Sequence, residues 1–281
     1  MRVLIVGGQG MLGHELCTVY GADQEVLGIG MPEFDMTLPG ACETLVGDFR
    51  PALILNAAAL TAVDYCELHE AEAMRVNAEG AANLAAAAAA AAVPFVHYST
   101  DYVFDGCKAG PYTEDDPTAP LSAYGRSKLA GERLIREKTP DHLILRTAWL
   151  FGAAGNNFIR TIFGAAREGR ELRVVNDQRG SPTYARDLAA HTRILSESRW
   201  RGTFHVTNSG ICTWYELACR VVEWAGLGVS VTPVTSEEFP RPAPRPRNSV
   251  MDNRRLREAG FPPMRPWQDA AREYVNILAG S

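Results

Sequence analysis

"VLIVGGQGMLGHEL", residues 3–16, decides the fold. Four apolar residues make a short strand, a seven-residue stretch with four glycines follows, and a helix is expected near 11–21. Gly7, Gly10 and Gly13 fit a G-x-x-G-x-x-G spacing, while Gly8, Gly10 and Gly13 also fit G-x-G-x-x-G. In either register glycine allows a tight turn and close backbone approach, and the helix start offers unbonded N–H groups to a diphosphate. A strand before and a helix after are the context that such a motif requires. The backbone of Gly7, Gly10, Met11, Leu12 and Gly13 is therefore expected to hold a dinucleotide.

Outward from this loop, short aliphatic runs alternate with helical patterns. Strands are expected at 3–6, 25–29, 52–55, 95–99 and 143–149, with helices near 11–21, 67–92 and 122–138. That alternation predicts an α/β chain with a Rossmann-type doubly wound parallel sheet. The first and third runs are nearly all apolar, as strands covered on both faces should be. Beyond residue 150 prolines accumulate, and helices near 156–169, 184–196 and 213–226 are separated by loops. The expected division is a dinucleotide-binding unit over 1–150 and a smaller substrate-binding lobe over 151–281, with some segments returning to the first unit.

At 281 residues the chain can bury a sizeable core. A net charge of -5 argues against nucleic acid as a partner. The exception is local, since "RPAPRPRNSVMDNRR", residues 241–255, carries five arginines and reads as a solvated connector or a phosphate-binding arm. Six scattered cysteines without metal-ligand spacing suit a reducing compartment, and the six histidines form no ligand pattern. "MRVLIV" is too short for a signal peptide, and the alanine-rich run at 84–93 covers about half a membrane span. A cytoplasmic enzyme with no membrane partner and no metal is the expectation.

The second strand continues into "VLGIGMPEFD", residues 26–35. Gly28 and Gly30 stand where an acid would hold the ribose 2′-hydroxyl of NAD, and no arginine follows to hold the extra phosphate of NADP. NADPH and NADH both stay open. Asp35 is placed to reach the adenine or to be an exposed loop acid. After the third strand, "NAAALTAVD" (56–64) supplies small residues at a strand end, where a flat ligand passes close to the backbone. Ala57, Ala58, Ala59 and Thr61 are candidate cofactor contacts.

The fourth strand ends in "YSTDYVFDG" (98–106), and "SAYGRSK" (122–128) follows on a helix. Tyr124 and Lys128 are four apart and share a helical face. A free phenol titrates near pH 10, and a neighbouring ammonium stabilises its phenolate, so the lysine is expected to make the tyrosine a usable acid. Of 28 basic residues only Lys108, Lys128 and Lys138 are lysines, which favours a specific need for a compact ammonium at 128.

A glycine loop, Thr100 after the fourth strand, and the Tyr124/Lys128 pair together resemble an extended short-chain dehydrogenase/reductase. The blocks "NAAALTAVDYCE", "STDYVFDG", "YGRSKLAGE", "RTAWLFG", "GNNF", "NDQRGSPT" and "RPRNSVMDN" resemble, more narrowly, the dTDP-4-dehydrorhamnose reductases. With the glycine loop they span residues 7 to 253 in order. The resemblance implies NAD(P)H-dependent reduction of a dTDP-4-keto-6-deoxyhexose, most simply to dTDP-L-rhamnose. Tyr124 would protonate the developing alkoxide, Thr100 would bond the same oxygen, and Lys128 would also hold the nicotinamide ribose. By the same resemblance Asp101 and Tyr102 neighbour the sugar, Val63 forms the other wall, and Trp149 faces nicotinamide or sugar. Asn157, Arg245 and Asn248 are implied substrate contacts, and Asn77 a buried structural asparagine. Some relatives bridge subunits through a divalent ion. Here Glu15 is present, but Arg186 precedes Asp187, so a metal bridge is not expected and the chain is a monomer or homodimer. Two other readings stay open: an epimerase or dehydratase that recycles tightly held NAD, and a regulatory subunit resembling that of methionine adenosyltransferase.

Overall fold

Six short strands line up as one parallel sheet in the computed structural model, which describes residues 1–280. Ser281, the last residue of the expected second lobe, lies outside them. In chain order the first half runs β1 (Arg2–Val6), α1 (Met11–Gly21), β2 (Glu25–Ile29), α2 (Ala41–Phe49), β3 (Leu53–Asn56), α3 (Val63–Leu68) and α4 (Glu70–Met74). A π-helical turn (Arg75–Gly80), α5 (Ala81–Ala90), β4 (Phe95–Thr100), a 3-10 turn (Asp101–Val103), α6 (Ala123–Lys138) and β5 (His142–Thr147) follow. The second half holds β6 (Leu150–Phe151), α7 (Phe158–Arg167), β7 (Leu172–Val175), β8 (Arg179–Gly180), β9 (Thr183–Tyr184), α8 (Ala185–Ser196) and β10 (Gly202–His205). It ends with β11 (Cys212–Thr213), α9 (Trp214–Trp224), β12 (Val231–Val234), α10 (Arg254–Glu258) and α11 (Trp267–Gly280).

The sheet order is β10-β5-β4-β3-β1-β2. From β1 the chain moves outward to β2, then crosses back to build β3, β4 and β5 on the other side. The crevice at the carboxyl ends of β1 and β3 is thus the point where strand order reverses, which is where open α/β sheets bind ligands. One sheet face packs against α1 and α8, through residues such as Val3, Ile5, Leu16 and Leu188. The opposite face packs against α2 and α5, through Leu4, Ile54, Val46 and Leu84. Burying each such aliphatic side chain contributes about 1.5–3 kcal/mol before chain entropy is set against it. A separate apolar cluster joins α7, α9 and α11 over β7, with Ile162, Val221 and Tyr274 at its centre.

All five expected strands are present, four of them within one residue of the expected ends. The fifth stops at Thr147 rather than 149, because Trp149 takes φ +48 and turns the chain out of the sheet. The helix expected over 67–92 is broken into α3, α4, the π-turn and α5. α8 and β10 lie beyond residue 150 yet complete the first sheet and its cover. Among the described residues no helix is long and apolar enough to cross a membrane.

Candidate active site

The glycine loop leaves β1 and turns directly into α1. Gly7 has φ +87, and a Cβ there would lie 2.6 Å from the Ala58 nitrogen. At Gly13 a Cβ would strike the Gly7 carbonyl, so α1 could not start this close to the strand with any larger residue. Gly10 caps the helix without a side chain, and the first turn contains no acid. The leading N–H groups of α1 are left for an anionic ligand, and the helix dipole favours one. The residues fit a dinucleotide diphosphate: a cradle with no room for Cβ atoms, facing an uncapped helix.

A cavity of about 440 Å³ opens beside this loop. Gly10, Met11 and Leu12 line one side, and Ala57, Ala58, Ala59, Thr61 and Val63 continue the wall after β3. Thr100, Asp101 and Tyr102 enter from the end of β4, Tyr124 and Lys128 from α6, and Trp149 from the turn after β5. The structure therefore brings together most of the residues that the sequence singled out. Gly7 and Gly13 shape the loop from behind the lining.

Local chemistry explains these placements. Ser122 starts α6 by accepting a hydrogen bond from the Gly125 N–H at 3.2 Å, so Tyr124 falls in the first turn and Lys128 one turn later. Below them on the same helix, Glu132 accepts two bonds from Arg146 of β5 at 2.8 and 2.7 Å, with both side chains buried. Asn77, in the π-turn, accepts from the Leu60 N–H at 2.8 Å and donates to Leu60 O and to the Ser127 hydroxyl at 2.9 and 3.0 Å. It ties the loop after β3 to α6.

Burial dominates the electrostatics. It raises the Tyr124 phenol well above its ordinary value, against a lowering contribution from the Thr100 hydroxyl. It pulls Lys128 down to about 8, opposed by the Glu132 carboxylate. Asp101, 2% exposed, is pushed up to about 6 by the same cause. The Thr100 hydroxyl donates to Asp101 at 2.9 Å. Burial, rather than Lys128, sets the direction of the Tyr124 shift. The Lys128 Nζ meets Nε2 of His97, in β4, at 3.2 Å.

Four expected contacts lie away from this cavity, three of them engaged in local structure. Asp35 accepts from the Thr37 N–H and hydroxyl at 2.8 and 2.7 Å, so its carboxylate closes its own turn. Asn157 caps α7, accepting from the Arg160 N–H at 3.0 Å and donating to Gly152 O and the Tyr274 hydroxyl. Its neighbour Asn156 lines the cavity instead. Asn248 donates to the carbonyls of Lys108 and Gly110 at 2.7 and 2.9 Å, which pins a loop.

Arg245 lies in a second cavity of about 490 Å³, which meets the first at Tyr102 and Trp214. There its guanidinium donates to Asp64 at 2.5 Å, while Arg173, Arg241, Gln178 and Phe239 complete the wall. Trp149 stacks flat on Trp214, with ring centroids 3.4 Å apart and planes within 7°. Sequence reasoning missed Trp214, Asn156 and Asp64. For Trp214 a signal existed: Thr213 and Glu216 form a capping box, which puts the tryptophan at the first position of α9. Asp187, the acid of the segment weighed for metal, is held by Arg265 through both oxygens at 2.8 and 2.9 Å. Among the described residues no three His, Cys, Asp or Glu side chains converge as a metal site.

The family profile described as "RmlD substrate binding domain" matches residues 1–279. The chain belongs to the dTDP-4-dehydrorhamnose reductase family. It is 42% identical to a Streptomyces griseus protein named dTDP-4-dehydrorhamnose reductase, over 99% of this chain and 94% of that one. Among solved structures it resembles the dTDP-4-dehydrorhamnose reductase of Clostridium acetobutylicum, with TM-score 0.96, 42% identity and 99% of each chain covered. The Bacillus anthracis dTDP-4-dehydrorhamnose reductase, determined with NADP, also superposes at TM-score 0.96, with 37% identity and 99% of each chain covered. In this dTDP-4-dehydrorhamnose reductase family member, the expected Rossmann-type fold is thus shared over the whole matched length.

Proposed function

We propose that this chain reduces the 4-keto group of dTDP-4-dehydro-L-rhamnose to give dTDP-L-rhamnose, with NADPH or NADH as reductant. The observation that carries the reading is a single cavity with the glycine loop on one wall and Thr100, Tyr124 and Lys128 on the other. A reduced nicotinamide bound there supplies a hydride to the carbonyl carbon.

The remaining chemistry belongs to the chain. Tyr124 donates its proton to the carbonyl oxygen as negative charge develops on it, a contribution of about 10²–10⁴ in rate for such an acid. Burial keeps that proton on the phenol at neutral pH, so the donor is loaded before the reaction begins. Thr100 offers a second hydroxyl to the same oxygen by releasing Asp101. Lys128 holds the ribose hydroxyls, and the uncapped start of α1 holds the diphosphate. Val63, Tyr102 and the Trp149/Trp214 stack confine the sugar, and Arg245 reaches the sugar-nucleotide diphosphate. Gly28 and Gly30 supply neither an acid for a ribose 2′-hydroxyl nor a cation for a 2′-phosphate, so both NADPH and NADH stay in the proposal.

We extend the proposal to a cytoplasmic enzyme acting as a monomer or homodimer; its six unpaired cysteines suit a reducing compartment. The test is nicotinamide oxidation by the purified protein with dTDP-4-dehydro-L-rhamnose. The expected result is consumption that depends on the keto sugar and yields dTDP-L-rhamnose. Protein that binds cofactor yet consumes none with this sugar refutes the reading, and protein that purifies with tightly held NAD supports the epimerase class instead.

A further inference from the structure

The second cavity holds more than the cation that meets the diphosphate. Phe158 and Ile162 of α7, Val174 and Val175 at the end of β7, and the 41% exposed ring of Phe239 give it apolar walls suited to a flat ring. Its polar groups are few, and most are engaged inside the protein. Asp64 accepts from Arg245 and from the Ala243 N–H, and the Thr161 hydroxyl donates to the Asn157 carbonyl at 3.0 Å. Tyr102 stands at the junction with the first cavity. Arg173, Arg241 and Arg245 carry donors only, so none of them can receive a proton from a ligand. Gln178, in the loop between β7 and β8, is the neutral polar group that remains.

Hydrogen-bond polarity fixes how its amide faces. The Asp177 carboxylate accepts from the Ser236 N–H at 3.1 Å and from the Ser236 hydroxyl at 2.6 Å, so the hydroxyl proton is committed to Asp177. Ser236 Oγ is left with lone pairs, and it accepts from Nε2 of Gln178 at 2.9 Å. A reversed amide would set Oε1 against those lone pairs. The amide oxygen therefore faces away from Ser236, and among the described residues it has no partner. An acceptor held in this way calls for a donor on the ligand.

We propose that Gln178 reads the base of the sugar nucleotide, its Oε1 accepting from the N3–H of a thymine-type ring. Once such a ring is joined to a sugar, N3–H is its one N–H group, with a carbonyl on either side. The second N–H of the same amide donates to one of these carbonyls, so acceptor and donor meet the imide edge in order. With the diphosphate at Arg245 fixing the register, a cytosine ring turns an unprotonated N3 toward Oε1 and sets two acceptors against each other. Ser236 and Asp177 are positioning residues that aim the amide.

The proposal rests on the reductase reading for the place of the diphosphate and goes beyond it in the base. The test is calorimetric titration of the full chain with dUDP and dCDP, which share sugar, diphosphate and a bare C5 and differ at ring positions 3 and 4. The expected result is that dUDP binds more tightly by at least about fivefold, and that Gln178→Leu brings the two to within about twofold. Ser236→Ala keeps Gln178 but not its aim, and should also lose most of the preference, which a merely structural role of Ser236 would not do. Should Gln178→Leu not fold, this variant carries the same readout. Arg245→Ala should weaken both nucleotides alike and leave their ratio unchanged. Equal binding of the two by the parent protein, or a preference that survives in Gln178→Leu, overturns the proposal and leaves the reductase reading standing. Parent protein that binds neither nucleotide overturns that reading and the proposal with it.

Discussion

Replacing Arg245 with alanine should raise KM for the sugar nucleotide while leaving kcat nearly unchanged. Arg245 sits in the second cavity, apart from the Tyr124 phenol, and its side chain is 18% exposed. Its guanidinium is aimed by Asp64 at 2.5 Å and by the Ala243 carbonyl at 2.6 Å, so little freedom is lost when a diphosphate binds. A charge-assisted hydrogen bond contributes about 1.5–3 kcal/mol. At about 1.4 kcal/mol per tenfold, loss of one such bond raises KM about 10- to 150-fold. The released Asp64 carboxylate, left with the Ala243 N–H at 3.2 Å and with Arg241 at 4.0 Å as its cation, then faces the same anion and pushes toward the upper end. The double variant Asp64→Ala/Arg245→Ala should therefore bind better than Arg245→Ala alone, a coupling of about 0.5–3 kcal/mol in a double-mutant cycle. Steady-state kinetics and the inhibition constant of dTDP measure both quantities. An inhibition constant within about threefold of the parent protein, or a fall in kcat with KM unchanged, would refute the placement of the diphosphate beside Arg245.

Tyr124→Phe should lower kcat by about 10²–10⁴ while cofactor affinity stays within a few fold, measured by turnover and by cofactor fluorescence titration. Glu132→Ala leaves the Arg146 guanidinium buried without its partner; a cost of about 3–5 kcal/mol and a Tm lower by about 6–20 °C in calorimetry are expected. Asp101 has a folded value of about 6 against about 3.9 unfolded, so the folded state binds its proton more tightly. Its contribution to stability is present at low pH and is lost as pH rises toward and through about 6, at most about 3 kcal/mol. Asp101→Asn, which keeps the acceptor for Thr100, should flatten that part of the stability profile in urea titrations at a series of pH values. An unchanged profile would show that the carboxyl ionises freely in the folded protein.

Local signals carried well into the fold. β1 and β3 were readable because each is a short aliphatic run covered on both faces. The cuts inside the expected 67–92 helix were not, since alanine, leucine and glutamate suit α- and π-turns alike and packing against α6 decides between them. α11 had a readable pattern, with Trp267, Ala270, Ala271, Tyr274 and Val275 on its buried face, but proline-rich surroundings obscured it. In the site, residues adjacent to a strand end or sharing a helix turn were legible, as with Thr100 and the Tyr124/Lys128 pair. Asn157 and Asn248 were harder to place, because an asparagine that caps a helix or pins a loop and one that touches a ligand look identical in sequence.

The sequence by itself determined the parallel α/β sheet, the glycine loop and the spacing that puts Tyr124 and Lys128 on one face of a helix. Each depends on spacing within one element or on a single strand–turn–helix unit, and such spacing survives in one dimension. Only the tertiary structure decided which groups surround Lys128, that Arg245 is aimed by Asp64, and that Trp214 covers Trp149. Those contacts join residues 31, 181 and 65 positions apart, across strands and lobes that only packing brings together. Protonation follows the same rule, because burial and partner polarity, which no residue carries alone, set it.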